Sequence, residues 1–154
     1  MCKYTKQIVV VLLCGLLLGI TGCDPEMSTN PILPGQISVL NITFQPNPVY
    51  EGYNDRYRFT VFIDEVNGVG ARIDSIKVEY IGEDGDVQKT ENFDQIDITY
   101  RLFGTSRIEA FGRLMASVQI EDCSFCERQN WLVRADDDNG NHVEYSASVE
   151  LINR

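Results

Sequence analysis

Histidine is nearly missing from this chain of 154 residues, where His142 is the single one. That leaves little for acid–base or nucleophilic catalysis, and neither a Gly-x-Ser-x-Gly elbow nor a glycine-rich phosphate loop occurs. Basic residues are also scarce, 13 Lys and Arg against 23 Asp and Glu. Nucleic-acid affinity depends on neutralising phosphates with Lys and Arg, so this balance argues against a nucleic-acid partner. It argues equally against a flat electrostatic grip on anionic lipid. After the N-terminal segment, no apolar run is long enough to span a bilayer. No stretch there sustains a 3.6-residue period over about three turns, and no internal repeat or low-complexity tract is visible.

What is present at the N-terminus is more specific. Met1 to Lys6 carries Lys3 and Lys6 and no acid, Ile8 to Ile20 is almost continuously apolar, and small residues lead to Cys23. A basic start, a short apolar core and small residues before a cut site describe a secretory signal peptide. The apolar run is shorter than the roughly 20 residues of a membrane span. Ile20-Thr21-Gly22-Cys23 resembles the lipobox of bacterial lipoproteins. The resemblance implies cleavage before Cys23, lipidation of its thiol, and a membrane contact made by the lipid anchor. It places the protein in the bacterial cell envelope, on the periplasmic side or at the cell surface. Residues 1–22 are then the signal peptide, and their removal takes the net charge from −10 to −12, since they hold two lysines and no acid. Residues 23–35 are the lipidated cysteine and a flexible tether punctuated by Pro25, Pro31 and Pro34. Extended, the tether reaches on the order of 35 Å at about 3.1 Å per residue.

Residues 36–154 fit one ordinary domain, long enough to build a core without staples. Their pattern has a period of two. Tyr57, Phe59, Val61 and Ile63 alternate with Arg58, Thr60 and Asp64, Ile76, Val78 and Tyr80 with Lys77 and Glu79, and Ala116, Val118 and Ile120 with Ser117 and Gln119. Val143, Tyr145, Ala147, Val149 and Leu151 alternate with Glu144, Ser146, Ser148 and Glu150. Such alternation predicts strands with one face on a core and the other in water. Further strands are predicted near Ile37–Phe44, Asp97–Leu102 and Asn130–Asp136. Glu83-Asp84-Gly85-Asp86 and Asp138-Asn139-Gly140-Asn141 supply Asp-Gly and Asn-Gly pairs, which tolerate the positive φ angles of tight primed hairpin turns. About seven short strands separated by turns predict an all-β sandwich.

The segment from Trp131 to Val143, with Arg134-Ala135-Asp136-Asp137-Asp138-Asn139-Gly140-Asn141 at its centre, resembles the last hairpin of bacterial immunoglobulin-like and fibronectin-type modules. There a strand ends in Asp, turns through Gly-Asn and returns as the final strand. The resemblance covers the last quarter of the chain and implies an immunoglobulin-like β-sandwich. It departs from antibody-type domains, whose two cysteines lie on facing strands with a Trp between. Here Cys123 and Cys126 are three apart and Trp131 follows them.

Cys123-Ser124-Phe125-Cys126 has three readings. In an oxidising compartment a local disulfide tightening a loop comes first. A Cys-x-x-Cys redox centre is second, although Glu121, Asp122 and Glu127 would raise a thiol pKa. Metal binding is third and lacks partners, since only His142 is available besides. Asp136, Asp137 and Asp138 are weak calcium candidates, because Ca²⁺ takes hard oxygen ligands, but they do not fit the Asp-x-Asp-x-Asp-Gly loop. Asp94 and Asp97 lie close together with nothing to make their environments unequal. Tyr50, Tyr53 and Tyr57, and Phe103 and Phe111, are the aromatic candidates for a contact surface. The expectation is a membrane-anchored, non-catalytic binding or structural module with a protein or glycan partner, needing no cofactor. The alternative is a small redox or metal-handling protein using the cysteine pair.

Overall fold

Alternation alone places most of the strands. The computed structural model of the protein describes residues 33–53, 56–121, 123 and 125–153, so Cys23, residues 1–22 and most of the tether lie outside the described residues. Nine strands form among them: β1 (Leu40–Gln45), β2 (Val49–Tyr50), β3 (Tyr57–Glu65), β4 (Ala71–Gly82), β5 (Val87–Asp94), β6 (Arg107–Ile108), β7 (Arg113–Ile120), β8 (Cys126–Asp137) and β9 (His142–Ile152). Two of these, β2 and β6, are only two residues long, which raises the count above the expected seven or so. They join two sheets, one ordered β1-β3-β7 and the other β2-β9-β8-β4-β5 with β6 added against β4. Only β2 runs parallel to its neighbour, β9.

The inward positions of both sheets meet in one apolar core. Ile42, Phe59, Val61, Ile63 and Ala116 come from the smaller sheet, and Ile76, Val78, Trp131, Val133 and Val149 from the larger. Each fully buried side chain of this kind contributes about 1.5–3 kcal/mol. Phe44 of β1 joins the layers, its ring edge-on to Phe59 and to Trp131 at 5.9 Å each. The described fold is therefore mostly β, as expected.

The structure departs from the expected elements at three points. Asp97–Leu102 is helical, with an α turn, α1 (Gln95–Asp97), running into a π-helical turn at Ile98–Phe103. The Asp94 carboxylate starts it by accepting the Ile96 and Asp97 N–H groups at 2.9 Å each, and Gly104 ends it at φ 79°. A strand would have aligned Ile98, Tyr100 and Leu102. The helix instead buries Ile98, packs Leu102 on the core and leaves Tyr100 83% exposed. Second, β5 carries no alternating apolar signal, because it is an edge strand with only Phe93 buried. Third, the two hairpin turns are not primed. Only the glycine of each pair, Gly85 at φ 82° and Gly140 at φ 80°, is left-handed. Gly85 N–H donates to Gly82 O and Gly140 N–H to Asp137 O, both at 3.0 Å, the pattern of a type I turn followed by a glycine bulge.

Two buried carboxylates organise one end of the sandwich. Glu65 continues the inward parity of Tyr57, Phe59, Val61 and Ile63, and Asp137 continues that of Trp131, Val133 and Ala135. The Glu65 carboxylate accepts N–H groups from Val39 (3.3 Å), Asn67 (2.9 Å), Gly68 (2.8 Å) and Phe111 (2.9 Å). Asp137 accepts from the backbone of Ser38 (3.1 Å), Asn139 (2.9 Å) and Asn141 (2.8 Å), and from the Asn141 side chain at 3.0 Å. Phe111 sits at φ 56°, a left-handed conformation that costs a non-glycine residue about 1–3 kcal/mol and that here aims its N–H at Glu65.

Burial opposes ionisation of both groups, but it is outweighed by these hydrogen bonds, so both carboxyls titrate below their ordinary values of 4.5 and 3.8. A depressed folded-state pKa gives stability that is fully present above the unfolded carboxyl pKa and is lost as pH falls from there through the lower folded one. Glu65→Gln should cost about 3 kcal/mol at neutral pH, because an amide NH₂ then faces N–H donors. Urea melts from pH 7 to pH 3 should show wild-type stability falling on the acid side, with a shallower slope in the variant.

Candidate functional site

The strands give the domain two ends. β3 spans roughly 26 Å at ~3.3 Å per residue, from Tyr57 to Glu65. At the Glu65 end, here the proximal pole, lie the first described residues, the loops between β3 and β4 and between β6 and β7, and the β8–β9 turn. The chain is tied there by the Asn67 side chain donating to Ile37 O at 2.7 Å and by the Tyr145 hydroxyl donating to Ser38 O at 2.7 Å. At the Tyr57 end, the distal pole, lie the segments on either side of β2, the β4–β5 turn, the disulfide-bonded Cys123 and Cys126, and the end of β9.

The distal pole carries exposed tyrosines beside a hollow. Tyr50 and Tyr53 stand out, Tyr53 at 90% exposure. With Gly52, Arg56 and Arg58 they line a hollow of about 220 Å³. Gly52 N–H donates to Arg56 O at 2.8 Å, folding the loop back so that the tyrosines and arginines share one side. Arg56 pairs with Glu121 at 3.2 Å, and Arg58 donates to the neutral amide of Gln119 at 2.9 Å. A second hollow of about 480 Å³ is lined by Ile81, Glu83, Glu127, Arg128, Glu150 and Asn153. Tyr57, grouped by sequence with Tyr50 and Tyr53, is a core residue, fully buried with its hydroxyl on Asn153. Phe103 packs on the core, and Phe111 is exposed at the opposite pole.

The cysteines meet. Cys123 and Cys126 are joined by a disulfide, with Cα atoms 5.4 Å apart and Cys126 N–H donating to Cys123 O at 3.1 Å. Both cysteines are buried while Phe125 between them is exposed. Redox-active thiols sit partly exposed in electropositive surroundings, a different setting from this one.

The acidic run does not converge. Asp136 contacts His142, Asp137 points inward to its N–H donors, and Asp138 pairs with Arg107 at 2.7 Å. Alternation along β8 sends Asp136 and Asp137 to opposite faces, and Asp138 lies in the turn beyond the strand. Among the described residues no group of three His, Cys, Asp or Glu side chains is arranged to hold a metal ion. Burial and then the charge of Asp136 raise the Asp74 carboxyl. Asp94 caps the helical turn and Asp97 pairs with Arg101 at 3.1 Å, so these two acids are structural. Sequence reading missed the burial of Glu65 and Asp137, although both stand at the next inward position after an apolar run. It also missed Arg56 and Arg58, which only the fold brings beside Tyr50 and Tyr53.

No protein-family model matches the chain, and no curated protein matches it. Solved structures are similar in fold. A crystal structure of a Bordetella pertussis protein assigned as ApaA has a TM-score of 0.51 at 13% identity, covering 77% of this chain and 98% of that one. The structural-genomics target SoR45 has a TM-score of 0.49 at 10% identity, covering 78% and 90%. The solution structure of a CARDB domain from Pyrococcus furiosus has a TM-score of 0.37 at 14% identity, covering 76% and 97%. The likeness rests on the first of these and concerns the fold alone.

The disulfide closes a loop of sequence separation 3. Chain-entropy reasoning gives so short a loop about 2 kcal/mol of stabilisation. Replacing both Cys123 and Cys126 by Ser should lower the denaturation free energy by that amount. Far-UV circular dichroism of the variant should stay that of the wild type.

Proposed function

We propose that this protein is a cell-envelope lipoprotein, anchored through Cys23, whose immunoglobulin-like sandwich is a non-catalytic binding module presenting its distal pole to a partner. The opposition of the two poles supports this reading most directly. The chain arrives at the proximal pole, while Tyr50, Tyr53, Arg56 and Arg58 gather about one strand length away. An anchor on the proximal side turns that surface away from the membrane. Tyr and Arg dominate binding energy at protein interfaces, supplying rigid area and a planar cation, so a protein is the favoured partner and a glycan the second choice. The lipobox-like Ile20-Thr21-Gly22-Cys23 and the Pro-punctuated tether support the anchoring half.

Mass spectrometry of the mature N-terminus should find acylated Cys23 as the first residue. Cys23→Ala should move the folded domain to the soluble fraction. A photo-crosslinker at Tyr53 in the intact protein should capture a specific partner, whereas one at Ser117, on the outer face of β7, should not. Tyr53→Ala should weaken that partner's binding by about 2 kcal/mol and leave the melting temperature unchanged, as the ring is exposed. Equal capture at both sites would reject the distal pole as the binding surface.

A further inference from the structure

The proximal pole carries an apolar surface that the core does not use. Leu33 is 66% exposed, Phe111 61%, Val66 51% and Ile37 43%. These residues belong to different segments, and the Glu65 network draws them together. Val66 N–H donates to Val39 O at 3.0 Å, and Asn67 binds Ile37 O through its side chain. The Phe111 ring lies over Gly68, so close that a Cβ there would stand 2.7 Å from its Cζ. The left-handed backbone of Phe111 is fixed by its N–H on Glu65, and that conformation holds the ring at the surface. A strained residue that displays a large apolar side chain to solvent marks a contact surface.

We infer that the proximal pole rests on the lipid surface to which the chain is anchored, with Phe111, Val66, Ile37 and Leu33 reaching into the headgroup region. This rests on the anchoring proposed above. The observation that selects lipid as the occupant is where the tether joins the domain. Leu33, the first described residue, is itself part of the patch, and Cys23 lies ten residues earlier. Ten extended residues reach at most about 35 Å, so the patch can lie no farther than that from the anchor. The tether permits a standing distance, and the exposed apolar side chains favour closing it. Local charge is a small acidic excess, two arginines pairing three surface carboxylates, which a zwitterionic surface does not repel. Asp64 is paired with Arg113 at 3.1 Å, Asp138 with Arg107 at 2.7 Å, and Glu109 with Arg107 at 3.2 Å. Glu65 and Asp137 are buried under N–H donors. Aromatic and aliphatic side chains beside paired charges suit a largely zwitterionic interface. The contact would also orient the domain, fixing the distal pole outward instead of letting it tumble on the tether.

The test uses the full-length lipidated protein in phosphatidylcholine vesicles with and without brominated acyl chains. Phe111→Trp adds one reporter at the proximal pole and Tyr53→Trp one at the distal pole, each read as a difference from the parent, whose Trp131 is buried. The expected result is a blue-shifted signal from position 111 that loses most of its intensity to brominated lipid, with position 53 red-shifted and unquenched. Val66→Trp repeats the measurement should the Phe111 variant fail to fold, as judged by circular dichroism. Flotation with the vesicles but no quenching at 111 or 66 overturns the lipid contact and leaves the anchor standing. A blue shift without quenching also overturns it, and assigns the patch to protein, either a second copy or the chain's own N-terminal residues. Failure to float, with unmodified Cys23 by mass spectrometry, overturns the anchoring and the contact together.

Discussion

Backbone N–H groups from distant parts of the chain converge on two buried carboxylates, and the proximal pole is built around that convergence. Glu65 gathers donors from Val39, Asn67, Gly68 and Phe111, and Asp137 from Ser38, Asn139 and Asn141. Loops at the end of a sandwich leave unpaired amides that must find acceptors once water is excluded. An ionised carboxylate takes several at once and is the strongest acceptor available. Removing either acid would leave several of these amides without an acceptor, so the segments that enter and turn at this pole share a dependence on the two side chains.

That constraint has consequences for the rest of the molecule. It holds Ser38 and Val39 against the sandwich, so the described chain enters the domain at this pole. It holds Phe111 in a conformation an aromatic residue rarely adopts and keeps its ring outward. The distal pole is organised differently, by the short disulfide turn and by the fold-back of Gly52 on Arg56. One pole is ordered by buried charge and the other carries exposed tyrosines beside two arginines. This division fits a module with an anchored end and a presenting end.

The candidate surface was half legible beforehand. Tyr50 and Tyr53 stood out as aromatics ahead of a strand, and they are exposed. Tyr57 stood beside them in sequence but continues the inward parity of Phe59, and parity outranks proximity. Arg56 and Arg58 gave no signal, since an arginine in an acidic chain reads as a solvated charge until a fold-back places it beside a ring. Asp136, Asp137 and Asp138 invited a metal reading by adjacency, yet a strand separates neighbours onto opposite faces. The helical turn after β5 was missed because Ile98 and Leu102 satisfy both a period of two and a helical spacing, and only the exposure of Tyr100 distinguishes them.

The sequence by itself determined which residues of the regularly alternating strands face the core, because the pleat sends alternate side chains to opposite faces. It also determined the turn positions, where Gly85 and Gly140 take left-handed angles closed to most other residues. Tertiary structure decided what those inward positions do at the strand ends. Asp137 finds a donor at Ser38, 99 residues earlier, and Glu65 one at Phe111, 46 residues later. A buried acid is tolerable only when such donors arrive, and their arrival depends on how the strands are ordered in the two sheets. No local pattern records that order, so the assembly of the two poles belongs to the fold alone.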